Sequence, residues 1–289
     1  MFSEKTSMYK ITFSFFISFL LLSQGFISAQ LPDGVRATPG YIAEIIKNYA
    51  AENSFPFALQ SNYAAVKFPI NVNVVKSKNG TAGLQLTDIE NGLSLTNTYF
   101  KPIGIQFFIE SFQFINDYNY AFVTYDNNRT EMLAKYAVAG SLNLFLVDSV
   151  KLGNIQSYGF TYFPNEPDSN YIFICKKYFT GNALATMLGH FMGLLSTHEN
   201  AGGSELVSEK NCASSGDYIC DTYADPDLFL KVIDNCKYVG IDKDNNGKYY
   251  VPSVSNIMSN STDNCKCGFT PLQYRRMYYY FNKYRRNLN

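Results

Sequence analysis

From Ala65 to Val75 the chain reads AVKFPINVNVV, with Val66, Phe68, Ile70, Val72 and Val74 apolar and polar residues or proline between them. A period of two puts alternate side chains on opposite faces, so this stretch is predicted to be a half-buried strand, closed by the turn Lys78-Asn79-Gly80. Before it, residues from Pro39 to Glu52 carry apolar positions at helical spacing, with Thr38-Pro39 as the start. After it, Thr87-Asp88-Ile89-Glu90 has the form of a capping box for a helix reaching Tyr99. IGIQFFIE and SLNLFLVDSV read as strands, and YGFTYF and YIFIC as shorter ones. Asn182 is placed to cap a helix running to Leu195. Thr270-Pro271-Leu272-Gln273 is a second capping box, opening a last helix whose closing arginines suit its negative end. Strands and helices of this kind imply an α+β (α/β-like) layout, a mixed twisted sheet with helices across it, followed by a part richer in turns.

The chain has 289 residues and 46% hydrophobic content, enough for a sizeable core. Its first thirty residues stand apart. MYKITFSFFISFLLLSQGFISAQ joins a lysine-bearing start to an apolar run and a small-residue exit at Ser28-Ala29-Gln30, the form of a secretory signal peptide. An uncleaved anchor is the alternative, and the short apolar run argues against it. Residues 31–289 are then expected to form the exported protein as a single domain. The leader removes Glu4, Lys5 and Lys10, leaving a net charge of −1, which offers no attraction to nucleic acid or anionic lipid. Cys175, Cys212, Cys220, Cys236, Cys265 and Cys267 all fall in the second half, and in an oxidising compartment they imply disulfides. A thiolate zinc site around Cys265-Lys266-Cys267 is the rival reading, with tighter spacing than structural zinc sites use.

Four motifs carry chemistry in a fixed order: LGHFMGLLSTH, GDYICDTYADP, NIMSN and CGFTPLQYRRM. Their order and approximate spacing resemble the pappalysin-like (cytophagalysin) metzincins, a group of secreted zinc peptidases. The stretch FPINVNVVKSKNGTAGLQLTDIENGLSLTNTYF also resembles the leading strand and first helix of that group, so the resemblance spans Phe68 to Arg286. It implies a metzincin-like fold: a sheet-rich upper part, about residues 31–195, ending in the metal-binding helix, and a lower part, about 196–289, with a methionine turn. Metzincins carry H-E-x-x-H-x-x-G-x-x-H, which gathers three imidazoles on one zinc beside a glutamate that moves the proton of the bound water.

Aligned on Gly193, only His190 keeps a zinc-ligand position. The other two hold Thr186 and Ser196, the catalytic glutamate position holds Met187, and the tyrosine position after Met258 holds Asn260. The resemblance thus implies a retained scaffold, with Gly193 and Met258 in structural roles, and no intact catalytic set. Zinc, expected for the family, is not expected to bind here. With only two histidines, a mixed site of His190, His198 and Glu199 or Asp217 is the one other route to a metal, and a buried structural role for His190 is the preferred reading. Asp217 and Asp221, in GDYICDT, are calcium candidates by the same resemblance, or else brace a turn. Asp242 to Gly247, DKDNNG, is either a calcium loop lacking its closing glutamate, with Ser253 at position twelve, or a hairpin turn. At least two disulfides are expected among Cys212, Cys220, Cys236 and Cys265 in an oxidising compartment. Three functions follow: a secreted pseudo-peptidase whose cleft binds a peptide or protein, a metalloendopeptidase with an atypical metal site, or a non-catalytic interaction protein of the cell envelope.

Overall fold

A computed structural model describes residues 31–59, 66–124, 129–166 and 170–288; the expected signal peptide, residues 1–30, lies outside the described residues. Helix α1 (Pro39–Ser54) starts where its sequence predicts, with Thr38 Oγ1 accepting the amide of Tyr41. Strand β1 (Val66–Val75), helix α2 (Leu86–Phe100) and strand β2 (Ile105–Ile115) follow, then short β3 (Phe122–Thr124) and helix α3 (Arg129–Tyr136). Strands β4 (Leu142–Val147), β5 (Ser149–Leu152), β6 (Ile155–Ser157), β7 (Gly159–Thr161) and β8 (Tyr171–Cys175) lead to helix α4 (Gly181–Phe191). Beyond α4 the chain runs mostly in turns, with a two-residue pairing of β9 (Val232–Ile233) and β10 (Lys237–Tyr238), until α5 (Pro271–Tyr280).

The principal sheet has the order β2-β1-β4-β8-β7, with β7 antiparallel at one edge and the other pairings parallel. It is the mixed sheet expected, but β1 is not half-buried: every residue from Phe68 to Val75 is buried. Parallel neighbours on both sides make β1 an interior strand, covered on both faces. Phe68, Ile70, Val72 and Val74 join the main core with α2 and α4. Asn71 and Asn73, placed on the wet face by the sequence pattern, instead accept hydrogen bonds from Ser111 at 2.6 Å and Gln113 at 2.7 Å on β2. SLNLFLVDSV divides between two sheets: β4 stays in the principal one and β5 enters a three-stranded sheet, β3-β5-β6.

Two helix starts differ from expectation by about a half-turn. The reciprocal cap of α2 joins Gln85 and Asp88, whose Oδ2 accepts the Gln85 amide at 2.7 Å, and does not start at Thr87. Thr180, not Asn182, caps α4, accepting the Ala183 amide at 3.0 Å. Asn182 is drawn away into tertiary bonds, accepting from Tyr99 Oη and donating to the Asp263 carbonyl. The capping box of α5 is made by Thr270 and Gln273 as its sequence predicts. Disulfides join Cys212 to Cys220 and Cys236 to Cys265, while Cys175 and Cys267 are free.

Helix α1 is fastened to α5 and to the loop before residue 222 by one buried cation. Arg276, fully buried, donates to Glu52 Oε1 at 3.0 Å and to the carbonyls of Asp217 and Tyr218 at 2.7 Å each.

Candidate functional site

Every residue of α4 is buried, so the helix runs through the interior between the sheet and the later turns. Its end sets the site. The chain leaves the helix after Phe191, earlier than Leu195, through Gly193 at φ 96°, where an added Cβ would stand 2.7 Å from Tyr41 Oη. A side chain here would meet both an unfavourable backbone region and an occupied space. The sharp exit brings residues 194–197 back beside the helix: Leu194 O lies 2.8 Å from His190 Nδ1, and the Thr197 amide donates to Met258 O. Met258 lies directly against the helix, with its sulfur 2.5 Å from where a Cβ on Gly189 would stand.

His190 is almost fully buried, and because a carbonyl only accepts, Nδ1 is the donor to Leu194. That bond aims Nε2 outward from the helix, the ring orientation in which a histidine presents a nitrogen to a metal. What faces Nε2 is a carboxylate. Asp33 Oδ2 stands 3.6 Å away and also accepts from Ser196 Oγ at 3.4 Å. Burial works to raise the Asp33 carboxyl, but the facing His190 ring, with His198 and Lys266, outweighs it and holds it at about 2. Lys266, 5% exposed, is itself pushed down by burial against the opposing pull of Asp263 and Asp33.

The other family positions are occupied by groups committed elsewhere. Thr186 Oγ1 donates its proton to the carbonyls of Asn182 and Ile257, both at 3.0 Å. Met187 is fully buried and points toward β7, its sulfur 3.4 Å from where a Cβ on Gly159 would stand. Asn260 donates to Asp227 Oδ1 at 2.9 Å and sits 3.3 Å from His198 Nε2. Glu199 accepts the amides of Asn200 and Ala201, bracing its own turn. No group of three or more His, Cys, Asp or Glu side chains among the described residues is gathered to hold a metal. Asp33 and Lys266 were not singled out from the sequence, where nothing links either to His190.

Beside this centre, His198, Glu199, Glu205, Asp225 and Asp227 line a small cavity of about 150 Å³. Glu205 is 4% exposed, its carboxylate is pressed against Gly216, and neither of its oxygens finds a hydrogen-bond donor among the described residues. Burial, with the charges of Asp217, Glu209 and Asp225, pushes it up to about 8. Asp217 is fully buried and is raised to about 7, chiefly by burial; Oδ1 accepts from the Ile219 amide and Thr222 Oγ1, while Oδ2 has no partner among the described residues. Asp221 is turned away, with both oxygens capping α5 through Thr270 Oγ1 and the Leu272 amide. The loop at Asp242 to Gly247 is a turn: Lys243 bridges Tyr249 in antiparallel pairing, and Asp244 Oδ1 accepts the amides of Asn246 and Lys248.

No known family profile matches the chain. An extracellular metalloprotease of Colletotrichum graminicola is 30% identical over 268 residues, covering 84% of this chain and 86% of the relative. The chain belongs to the pappalysin-like metallopeptidase family. A second extracellular metalloprotease, from Sordaria macrospora, is 28% identical over 243 residues, covering 78% of this pappalysin-like chain and 79% of the relative. Its fold is similar to that of a promirolysin variant of Tannerella forsythia, with a TM-score of 0.54 at 16% identity over 84% of this chain and 88% of the other. Mature mirolysin in complex with a cleaved peptide gives a TM-score of 0.51 at 17% identity over 75% and 91%. The pappalysin-like fold is therefore kept, and no helix among the described residues is long and apolar enough to cross a membrane.

Proposed function

We propose that this pappalysin-like chain is an exported pseudo-peptidase, whose cleft beside α4 holds an extended peptide or a protein partner without cutting it. One observation carries the reading: the nitrogen that His190 would offer a metal faces the Asp33 carboxylate at 3.6 Å. A catalytic zinc site takes three protein ligands and leaves one position for water. Here Thr186 and Ser196 offer neutral hydroxyls at the other two positions, and the Thr186 hydroxyl is already bonded to two carbonyls. These residues do not fit zinc. Met187 adds a second deficit, since a thioether moves no proton; loss of general acid–base help costs about 10²- to 10⁴-fold in rate. Export rests on the leader and on the extracellular relatives. Met258 keeps the role of the family's methionine turn, a floor under the helix.

Calcium is a different case, because two buried carboxylates with unpartnered oxygens fit a hard cation. Glu205 and Asp217 would hold it; Asp221 is engaged with α5.

The test of the main reading is a peptidase assay against casein and a peptide library, with added zinc and then with chelator. No cleavage is expected under any of these conditions. Thr186→His, Met187→Glu and Ser196→His together, with Asp33→Ala to clear the position facing His190, should bring zinc binding back. Chelator-sensitive cleavage by the unaltered chain would overturn the reading.

A further inference from the structure

The hairpin of residues 241–251 buries one of its faces and leaves the other bare. Lys243 pairs antiparallel with Tyr249, and the Tyr250 amide donates to Asp242 O at 3.1 Å, so Ile241 stands opposite Val251 across the ribbon. The inner face is fastened to the loop at residues 205–207. Tyr250 Oη donates to Glu205 O at 3.1 Å, and Asp244 Oδ2 accepts the Val207 amide at 3.0 Å. Asp244 Oδ1 closes the tip by accepting the amides of Asn246 and Lys248.

Alternation along the two arms turns Ile241, Lys243, Tyr249 and Val251 to the outside. Ile241 is 85% exposed, Val251 75% and Tyr249 60%. Val239, also exposed, lies two residues before Ile241 at the end of the β9–β10 hairpin, which the Cys236–Cys265 disulfide holds in place. The inner side of that hairpin has its own small core of Leu228, Val232 and Cys265. The outer apolar side chains therefore serve no core. Single exposed apolar residues are ordinary, but several gathered on one anchored ribbon mark an interaction surface.

Charge decides what covers this face. Lys237, Lys243 and Lys248 are exposed, and the Lys243 ammonium lies 4.4 Å from the centre of the Tyr249 ring. Of the acids in residues 228–251, Asp242 pairs with Lys231 at 3.0 Å and Asp244 is buried, so Asp234 is the one exposed acid against three exposed lysines. The balance of 24 basic and 24 acidic residues over the whole sequence hides this local excess. A second copy fits poorly, because docking the face on itself about a twofold axis sets lysines against lysines. An anionic bilayer fits on both counts. It offers hydrocarbon to Ile241 and Val251, an interface to the Tyr249 ring, and negative headgroups to lysines whose stems lie along the apolar surface.

We propose that this hairpin is a membrane-docking element, which seats Ile241 and Val251 in an anionic lipid surface with Lys237, Lys243 and Lys248 at the headgroups. The attachment is reversible, since a few side chains and charges hold far less firmly than a spanning helix. It is independent of what the cleft holds.

The sequence contains no tryptophan, so Ile241→Trp installs a single reporter. Its emission is read with phosphatidylcholine vesicles and with vesicles of equal parts phosphatidylcholine and phosphatidylglycerol, using brominated acyl chains as quencher. Binding is measured by vesicle cosedimentation. With anionic vesicles the emission should shift to the blue and be quenched, and neutral vesicles should bind about tenfold more weakly or less. Ile241→Ser with Val251→Ser, both at exposed positions, should keep the circular dichroism of the fold and lose about tenfold in binding per side chain. This variant also controls for any other lipid-binding part of the chain. Lys243→Gln with Lys248→Gln should bind about tenfold more weakly and with a flatter dependence on salt. No binding to anionic vesicles, tryptophan emission that ignores them, or binding that the serine variant leaves unchanged overturns the proposal. A dimer in sedimentation velocity that the serine variant dissolves assigns the face to a second copy and overturns it too.

Discussion

Replacing Arg276 by methionine tests how the amino-terminal helix is fixed to the rest of the molecule. The side chain is fully buried and makes three bonds: to Glu52 Oε1 at 3.0 Å, and to the carbonyls of Asp217 and Tyr218 at 2.7 Å. Methionine preserves most of the apolar stem and removes the guanidinium. Glu52 is then left 4% exposed without its cation, and its Oε2 already lacks a donor among the described residues. Breaking a buried ion pair from one side costs about 3–5 kcal/mol, and two orphaned carbonyls push toward the upper end. For a chain of this size that is a fall in Tm of roughly 6–20 °C. Removing both charges should hurt less than the two single changes summed, because Arg276→Met with Glu52→Leu leaves no uncompensated charge inside. Urea unfolding followed by far-UV circular dichroism measures all three variants, with m unchanged if the native fold is kept. A loss under about 1 kcal/mol for Arg276→Met, or full additivity in the double variant, would refute the assignment of this pair as the fastening of α1.

Other outcomes follow from the same structure. Calcium at roughly a hundredfold over its dissociation constant should add about 2.7 kcal/mol, a thermal shift of roughly 5–10 °C that Glu205→Gln abolishes; a chain indifferent to calcium removes that site. Cys236→Ser with Cys265→Ser opens a loop of 29 residues and should cost about 3.6 kcal/mol in chemical denaturation, against about 2.5 kcal/mol for the separation of 8 at Cys212 and Cys220. An order reversed between the two would count against loop closure as their main contribution. Cys267 is exposed and should react with a maleimide in the native protein at mildly alkaline pH. Cys175, buried and pushed up to about 11 chiefly by burial, should be modified only after unfolding, which mass spectrometry of the labelled peptides checks.

What the sequence made legible was local or ordered along the chain. The capping box of α5 could be read because its two partners lie three residues apart. The order of the four motifs drew His190, Gly193 and Met258 into one expected site; in the structure α4 ends before Gly193 and Met258 packs against Gly189. Where a side chain found a distant partner, local reading misplaced it. Asn182 had the form of a cap, but Tyr99 and Asp263 hold it across the fold and leave the cap to Thr180. Asn71 and Asn73 had the form of a wet strand face, and only the pairing with β2 shows where their buried side-chain oxygens find donors. Asp33 was illegible for the same reason at larger scale. Its meeting with His190 depends on Pro32 and Gly34 lying along residues 158–159, which no spacing in the sequence records. Glu205 escaped notice because its burial against Gly216 and Asp217 is set by the turns after α4.

The central claim is that this pappalysin-like scaffold holds its fold without a zinc ion, and metal content tests it most directly. The protein, purified without chelator and equilibrated with zinc before extensive dialysis, is analysed by inductively coupled plasma mass spectrometry beside a peptidase assay. Zinc far below one ion per chain, with no cleavage, is the predicted result. One tightly held zinc per chain, with cleavage that a chelator abolishes, would contradict it.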